Sequence, residues 1–162
     1  MPRNGCNSDM LDIACIKSKS DDAVTPRCSE GGCELKLDGL KKYIVVKGDK
    51  ICKDRKICDC IIFTEIDNLP TIGVIELKSK TVHANEVVEK LDNGSKIALD
   101  ILEKCSDNRL KYEFCHIVLC RRWSSSEYIA IKSRKIAIRG NKCSIIPKRC
   151  GVSFSAVISL LK

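Results

Sequence analysis

The sequence predicts an α/β fold in which helices flank one mixed β-sheet. Three short apolar runs lie between residues 43 and 78, a long amphipathic pattern extends to residue 105, and a fourth apolar run follows. Consecutive short strands usually pair antiparallel, whereas a strand, a helix and a strand in succession make the two strands parallel. We expect one domain over residues 1–162, with a core at residues 8–122 and a basic C-terminal extension at residues 123–162.

The first half of the chain supplies a short helix and three strands. Residues 8–17 have the spacing of an amphipathic helix, and residues 18–33 are expected to form a loop. Residues 34–40 fit neither pattern. The β-branched and apolar runs predict strands at residues 43–46, 57–66 and 71–78. With a turn at residues 67–70, these strands form an antiparallel meander.

The second half begins with the clearest helix. Apolar residues from Ala84 to Cys105 recur at helical spacing, and Gly94 interrupts them, which predicts a kink. Further strands are predicted at residues 112–121, 128–131, 135–139 and 143–146. A turn at Gly140 and Asn141 joins the last two strands, and residues 152–161 are expected to be a short helix or strand.

Charge and composition limit the classes of function. Lys and Arg exceed Asp and Glu by 29 to 21, a net charge of +8, which favours a polyanionic partner such as nucleic acid. Aromatic residues make up 4%, so a stacking platform for single-stranded bases is not expected. The apolar runs are too short to span a membrane, and no secretory signal is visible, so a cytoplasmic protein is expected.

Twelve cysteines are many for a chain of this length. Several lie within apolar patterns, where a thiol packs as a small hydrophobic group: Cys15, Cys60, Cys105 and Cys115. Others flank loops and would form disulfides if the organism is a hyperthermophile: Cys28 with Cys33, Cys52 with Cys58, and Cys143 with Cys150. No pair has Cys-x-x-Cys spacing, so a zinc or iron–sulfur site has little support.

Two acidic residues and a lysine interrupt the apolar strands. Glu76 and Lys78 lie two residues apart in the third strand, so their side chains share one face of the sheet. Asp59 lies in the preceding strand, and a hairpin turning near Pro70 would bring it beside Glu76. Two close carboxylates repel each other, and a divalent cation such as Mg²⁺ or Mn²⁺ removes that conflict.

Asp59, followed seventeen residues later by Glu76-Leu77-Lys78, resembles the motif of the PD-(D/E)xK nuclease superfamily. The predicted element order is similar too, over residues 8–122. The resemblance implies a restriction-endonuclease-like αβββαβ core that cleaves phosphodiester bonds, in DNA more than in RNA, with Mg²⁺ or Mn²⁺. It further implies that Asp59 and Glu76 bind the metal with the Leu77 carbonyl, that Lys78 is catalytic, and that the protein acts as a homodimer.

Some positions depart from the family pattern. Cys58 stands where many members have proline. Many members also add an acidic residue near the first helix, and three residues here are candidates for it: Asp9, Asp12 and Glu34.

The C-terminal extension is basic, with no acidic residue between Lys132 and Arg149. If it borders the site, its cations would bind phosphates. The residues expected to contact nucleic acid are Lys132, Arg134, Lys135, Arg139 and Lys142. Two other functions stay open: a non-catalytic basic module that binds nucleic acid, and a cysteine-ligated iron–sulfur or zinc protein.

Five residues outside the motif have structural interpretations. His83 and Asn85 are expected to cap the long helix, and Lys90 to form a solvated pair with Glu86 on that helix. His116 lies in an apolar strand and is expected to be a hydrogen-bonded core residue.

Overall fold

The computed structural model describes residues 11–106 and 110–161, and it is an α/β fold with a mixed seven-stranded sheet. In chain order the helices and strands are α1 (Ile13–Ser20), β1 (Val24–Thr25), β2 (Cys28–Glu30), β3 (Cys33–Leu35), β4 (Tyr43–Lys47), α2 (Gly48–Ile51), β5 (Cys60–Ile66), β6 (Leu69–Lys78), α3 (Ala84–Cys105), β7 (Glu113–Cys120), α4 (Ser125–Lys132), β8 (Lys135–Ile138), β9 (Asn141–Arg149) and α5 (Phe154–Ser159). Within these residues, no helix is long and apolar enough to cross a bilayer.

The sheet has the strand order β1-β4-β5-β6-β7-β9-β8. Strands β4, β5 and β6 form the predicted antiparallel meander, and β6 and β7 are parallel across α3, as expected. Strand β9 is parallel to β7, and β8 pairs antiparallel with β9. The register sets Lys78 beside Cys120 and Cys120 beside Arg149, so three strands finish together at what we call the Lys78 end of the sheet.

Both faces of the sheet are covered. On one face, buried residues of α3 such as Val87 and Leu91 pack in one cluster with Val74 of β6. On the other face, the β2–β3 hairpin and α5 pack over Ile75 and other residues that alternate with the first set. A strand buried on both faces has a continuous apolar sequence, which makes a charged residue inside β6 conspicuous.

Gly94 allows α3 to lie close against the sheet. A Cβ atom at this position would lie 2.9 Å from Val74 Cγ1 and would also collide with Cys58 Sγ. The helix is continuous through Gly94. Close helix–sheet packing therefore explains the glycine.

The prediction of a strand at residues 128–131 is wrong, because these residues belong to α4. Ser124 is the N-cap of this helix, and its hydroxyl accepts a hydrogen bond from the Glu127 backbone N–H at 3.2 Å. A serine followed three residues later by glutamate is a recognised capping sequence, and it outweighs the β-branched character of the residues that follow.

The N-terminal elements also differ from expectation. Helix α1 is Ile13–Ser20, and the first residues of the helix predicted at 8–17 lie outside the described residues. The predicted loop at 18–33 contains β1, β2 and a turn of 3₁₀ helix. Residues 152–161, left open between helix and strand, contain helix α5.

Within the described residues, three disulfides connect distant segments: Cys15–Cys105, Cys28–Cys60 and Cys33–Cys150. None of the three predicted loop-flanking pairs forms, and three cysteines expected to be buried thiols, Cys15, Cys60 and Cys105, are bonded instead. Cys115 is a free buried thiol, as predicted. Pairing depends on which strands and helices meet in space, and spacing along the chain does not reveal this.

Candidate active site

Asp59 and Glu76 face each other just beyond the last paired residues of β5 and β6. The register pairs Cys60 with Ile75, so the next residues outward are Asp59 and Glu76. The Leu77 backbone N–H donates a hydrogen bond of 2.7 Å to Asp59 Oδ2. The structure thus brings together the two carboxyl groups that the hairpin was expected to bring together.

The Glu76 side chain is buried, and one of its two carboxylate oxygens is paired with lysines. Its exposed fraction is 1%. Oε2 accepts a hydrogen bond from Lys90 Nζ at 3.1 Å and lies 3.3 Å from Lys78 Nζ. Oε1 is buried and receives no hydrogen bond from any described residue. Such an oxygen is costly to bury, so it is a position at which a cation or proton is favoured.

The two carboxyl groups resist being ionised together. Burial raises the pKa of Glu76 to about 7, and repulsion from Asp59 adds to this, while Lys90 and Lys78 act in the opposite direction. Burial also raises the pKa of Asp59, whereas hydrogen bonds with the Leu77 N–H and the Glu76 carboxyl lower it by less. A close pair of this kind holds a shared proton or binds a cation.

Lys90 is a site residue that the sequence interpretation missed. It forms the expected ion pair with Glu86 at 3.4 Å, but it is not a solvated position, because it also bonds to buried Glu76 and its side chain is 21% exposed. Burial lowers the pKa of Lys90, yet attraction to Glu76 and Glu86 outweighs this and raises it overall. Lys90 lies three residues after Val87, on the apolar side of α3, and this position is the signal in the sequence that its side chain is partly buried.

The β2–β3 hairpin brings a third carboxylate near the pair. Glu30 Oε2 lies 3.1 Å from Lys47 Nζ, and the charge of Glu30 contributes to the raised pKa of Asp59. The disulfide Cys28–Cys60 ties this hairpin to the residue after Asp59.

The turn residues Gly31 and Gly32 both have positive φ angles. Adjacent glycines between short runs are a hairpin signal, although the expectation for this segment was a loop.

The three upstream acids proposed from the sequence have other positions. Asp12 is the N-cap of α1, where its side chain accepts a hydrogen bond from the Cys15 N–H at 3.0 Å. Glu34 lies in β3, paired with Ser29 across the hairpin. Asp9 lies outside the described residues.

The five predicted nucleic-acid-binding residues are dispersed. Arg134 donates to Asn85 at the start of α3, whereas Arg139 pairs with Glu103 in the last turns of that helix. The others are Lys132, which lies over the Tyr128 ring, Lys135, which donates to Ser144, and Lys142, which is paired with Ala137. Strand β9 runs parallel to β7, so its second residue, Lys142, lies at the end of the sheet opposite Lys78.

The helix-cap prediction is confirmed for the position of His83 alone. The core-histidine prediction is confirmed for the burial of His116 and for Nε2, whereas Nδ1 has no hydrogen-bond partner among the described residues. His83 occupies the N-cap position of α3 but makes no side-chain capping bond, and Asn85 bonds to Arg134 instead. His116 is fully buried, and its Nε2 lies 2.7 Å from Ser95 Oγ. Burial lowers the pKa of His116 to about 4, so the ring is neutral.

The donor atoms at the carboxylate pair suit a hard divalent cation. In the described part of the chain, no three His, Cys, Asp or Glu side chains are grouped to hold a metal ion. Mg²⁺ commonly uses one or two carboxylates and keeps several waters. The N–H and C=O of a strand residue point to the same side, so the Leu77 carbonyl faces the Asp59 side of β6.

A scan against protein-family models and searches of the curated proteins and of the solved structures found no match to this chain. The chemistry of the site is therefore the basis on which a function is assigned.

Proposed function

We propose that the protein is a metal-dependent nuclease of the PD-(D/E)xK type, with a restriction-endonuclease-like core, and that it hydrolyses phosphodiester bonds in DNA more than in RNA. The main support is a single observation: buried Glu76 faces Asp59, and Glu76 Oε1 accepts no hydrogen bond from a described residue. A fold gains no stability from burying two adjacent carboxylates, and apolar residues would pack there at lower cost. The pair is better explained by chemistry than by packing.

Mg²⁺ or Mn²⁺ is the proposed cofactor, held by Asp59, Glu76 and the Leu77 carbonyl. A metal bound there would lower the pKa of a bound water and offset negative charge on the phosphate. The raised pKa of Glu76, about 7, is consistent with a residue that exchanges a proton for a metal ion near neutral pH.

The lysines have separate roles in this proposal. Lys78 shares a face of β6 with Glu76 and is 20% exposed at the side chain, so its ammonium can reach both the carboxylate and a bound phosphate. It is proposed to orient the attacking water and stabilise charge on the transferred phosphate. Lys90 is proposed as a positioning residue, because its bond to Oε2 holds the Glu76 carboxylate with Oε1 free of protein donors.

Two copies of the chain are proposed to act together. One carboxylate pair cleaves one strand, so cutting a duplex through both strands at one place needs a second site. Light scattering on the purified protein, with and without DNA, tests this part. A monomer in both states would remove the homodimer from the proposal.

The proposed compartment is the cytoplasm. Three disulfides are expected in the cytoplasm of a hyperthermophile and are otherwise typical of oxidising compartments. Alkylating thiols at the moment of cell lysis and counting the modified cysteines by mass tests whether the bonds exist in the cell.

The proposed activity is tested by incubating the protein with supercoiled plasmid and with RNA in Mg²⁺, Mn²⁺ or EDTA. Wild type should cleave with metal and not with EDTA, and Asp59→Asn, Glu76→Gln and Lys78→Ala should each reduce the rate by about 10²-fold or more. Lys96→Ala is the control, because Lys96 is 63% exposed on α3 and pairs with Asp92. Folded wild type that cleaves neither substrate, or variants that cleave as well as wild type, would contradict the proposal. A protein that binds but does not cleave would be a non-catalytic binding module.

A further inference from the structure

A basic pocket of about 530 Å³ lies next to Lys78 at the end of the sheet. Its lining residues are Ser79, Lys80, Thr81, Arg121, Arg122 and Glu127. The first three follow β6 directly, and the two arginines follow β7 directly. Since β6 and β7 are parallel neighbours that finish in register, both loops leave the sheet at the Lys78 end.

The cations of this pocket are not neutralised by its carboxylate. Glu127 Oε2 accepts a hydrogen bond from the Val82 N–H at 2.6 Å, and Oε1 accepts one from Ser124 Oγ at 2.9 Å. Among the described residues, none of the eight ion pairs includes Lys80, Arg121 or Arg122. Three cations therefore face one carboxylate that is occupied by neutral donors.

The turn of the β2–β3 hairpin fixes the position of Arg121. The Gly31 carbonyl accepts a hydrogen bond from Arg121 Nη2 at 3.2 Å, which orients the guanidinium and leaves its charge in place. A Cβ atom at Gly32 would collide with the same guanidinium, so the turn and the arginine pack against each other. The disulfides of Cys28 and Cys33 attach both strands of this hairpin to the sheet and to the residue after β9.

The pocket also lies at a useful distance from the carboxylate pair. Lys80 is two residues beyond Lys78, and two residues of chain span at most about 7 Å. One nucleic-acid strand carries a phosphate about every 3.4 Å of helix rise, so a phosphate in the pocket would lie within a few nucleotides of one at Lys78.

We infer that this pocket binds the phosphate backbone of duplex DNA beside the cleavage site, through Lys80, Arg121 and Arg122. The inference rests on the proposed nuclease function, because it names the surface that would hold the substrate of that enzyme. Two of the residues predicted to bind nucleic acid contribute less, since Arg139 is paired with Glu103, and Lys142 lies at the opposite end of the sheet.

The test is DNA binding without metal, measured by fluorescence anisotropy of a labelled duplex in EDTA. The double variant Lys80→Glu/Arg122→Glu is compared with Lys135→Glu/Lys142→Glu, which changes the net charge equally at exposed positions far from Lys78. We expect the pocket variant to weaken binding by about 30-fold or more and to reduce the salt dependence by about two counterions. The second variant should weaken binding by only about 3-fold, through the overall field.

Equal losses in the two variants would overturn the inference, because overall charge alone would then explain binding. A larger loss in the Lys135/Lys142 variant would assign binding to the C-terminal extension, and wild type that fails to bind the duplex at low salt would also overturn it. If charge reversal unfolds the protein, the neutral pair Lys80→Gln/Arg122→Gln replaces it. Because EDTA stops cleavage, the nuclease proposal can fail while the pocket is supported, and the reverse can also occur.

Discussion

Gly94 lies where α3 packs tightly against Val74 of β6 and against Cys58, the residue before Asp59. In an exposed helix, replacing glycine with alanine stabilises by about 1 kcal/mol. Here the new Cβ would lie 2.9 Å from Val74 Cγ1 and would collide with Cys58 Sγ, and both of these neighbours are fully buried. Overpacking a buried site costs about 1–3 kcal/mol, and the double contact favours the upper half of that range. We therefore expect Gly94→Ala to lower the free energy of unfolding by about 1–2 kcal/mol.

Urea denaturation of four single variants and one double variant measures this. Lys96 is at an exposed position of the same helix, so the difference in the free energy of unfolding between Lys96→Ala and Lys96→Gly measures the contribution of helix propensity. Gly94→Ala in a Cys58→Ala background should lose less stability than in wild type, because one of the two contacts is relieved. If Gly94→Ala raises the free energy of unfolding by as much as the Lys96 pair differ, the close packing of α3 on the sheet is refuted.

Three further predictions concern pH, cross-linking and the positioning lysine. The pKa of His116 is about 4 in the fold and about 6.5 when unfolded, so stability should fall as pH drops between these values, by up to about 3 kcal/mol. His116→Gln should flatten that slope in denaturant titrations, and an unchanged slope would contradict the prediction. Replacing Cys33 and Cys150 together with serine removes a link across 117 residues and should reduce stability by about 4–5 kcal/mol, seen as a lower Tm; an unaltered Tm would argue against the bond. Lys90→Met removes a charge that lowers the pKa of Glu76, so the pH midpoint of metal-dependent cleavage should rise by about one unit. A slower rate with the same midpoint would show that Lys90 does not control the protonation of Glu76.

The sheet core was predictable because its signals are local and repeated. Runs rich in β-branched residues gave β4, β5 and β6, and the apolar period from Ala84 to Cys105 gave α3 within its observed bounds. The parallel pairing of β6 and β7 followed from the crossover alone.

The facing positions of Asp59 and Glu76 were predictable for a related reason. A short antiparallel hairpin fixes which residues are opposite each other, so an acid near the start of β5 must lie beside one near the end of β6. The roles of these residues in metal binding and catalysis are not fixed by that geometry and depend on the experiments above.

The remaining features depend on contacts between segments far apart in sequence. Lys90 reaches Glu76 from a helix that packs closely on β6 at Gly94, and a sequence pattern does not give that distance. The Cys33–Cys150 bond depends on the β2–β3 hairpin packing over β6 and β7 and reaching the residue after β9, which spacing does not reveal. Strand β9 returns parallel to β7, and this return is what separates Lys142 from the Lys78 end.

The most direct test of the account is a crystal of the metal-free protein soaked in Mn²⁺ and measured for anomalous scattering. We expect one strong peak between the Asp59 carboxylate and Glu76 Oε1, lost in a Glu76→Gln crystal treated in the same way. Clear density for both side chains with no peak between them, at the Mn²⁺ concentration of the cleavage assay, would contradict the assignment of this pair as a metal site.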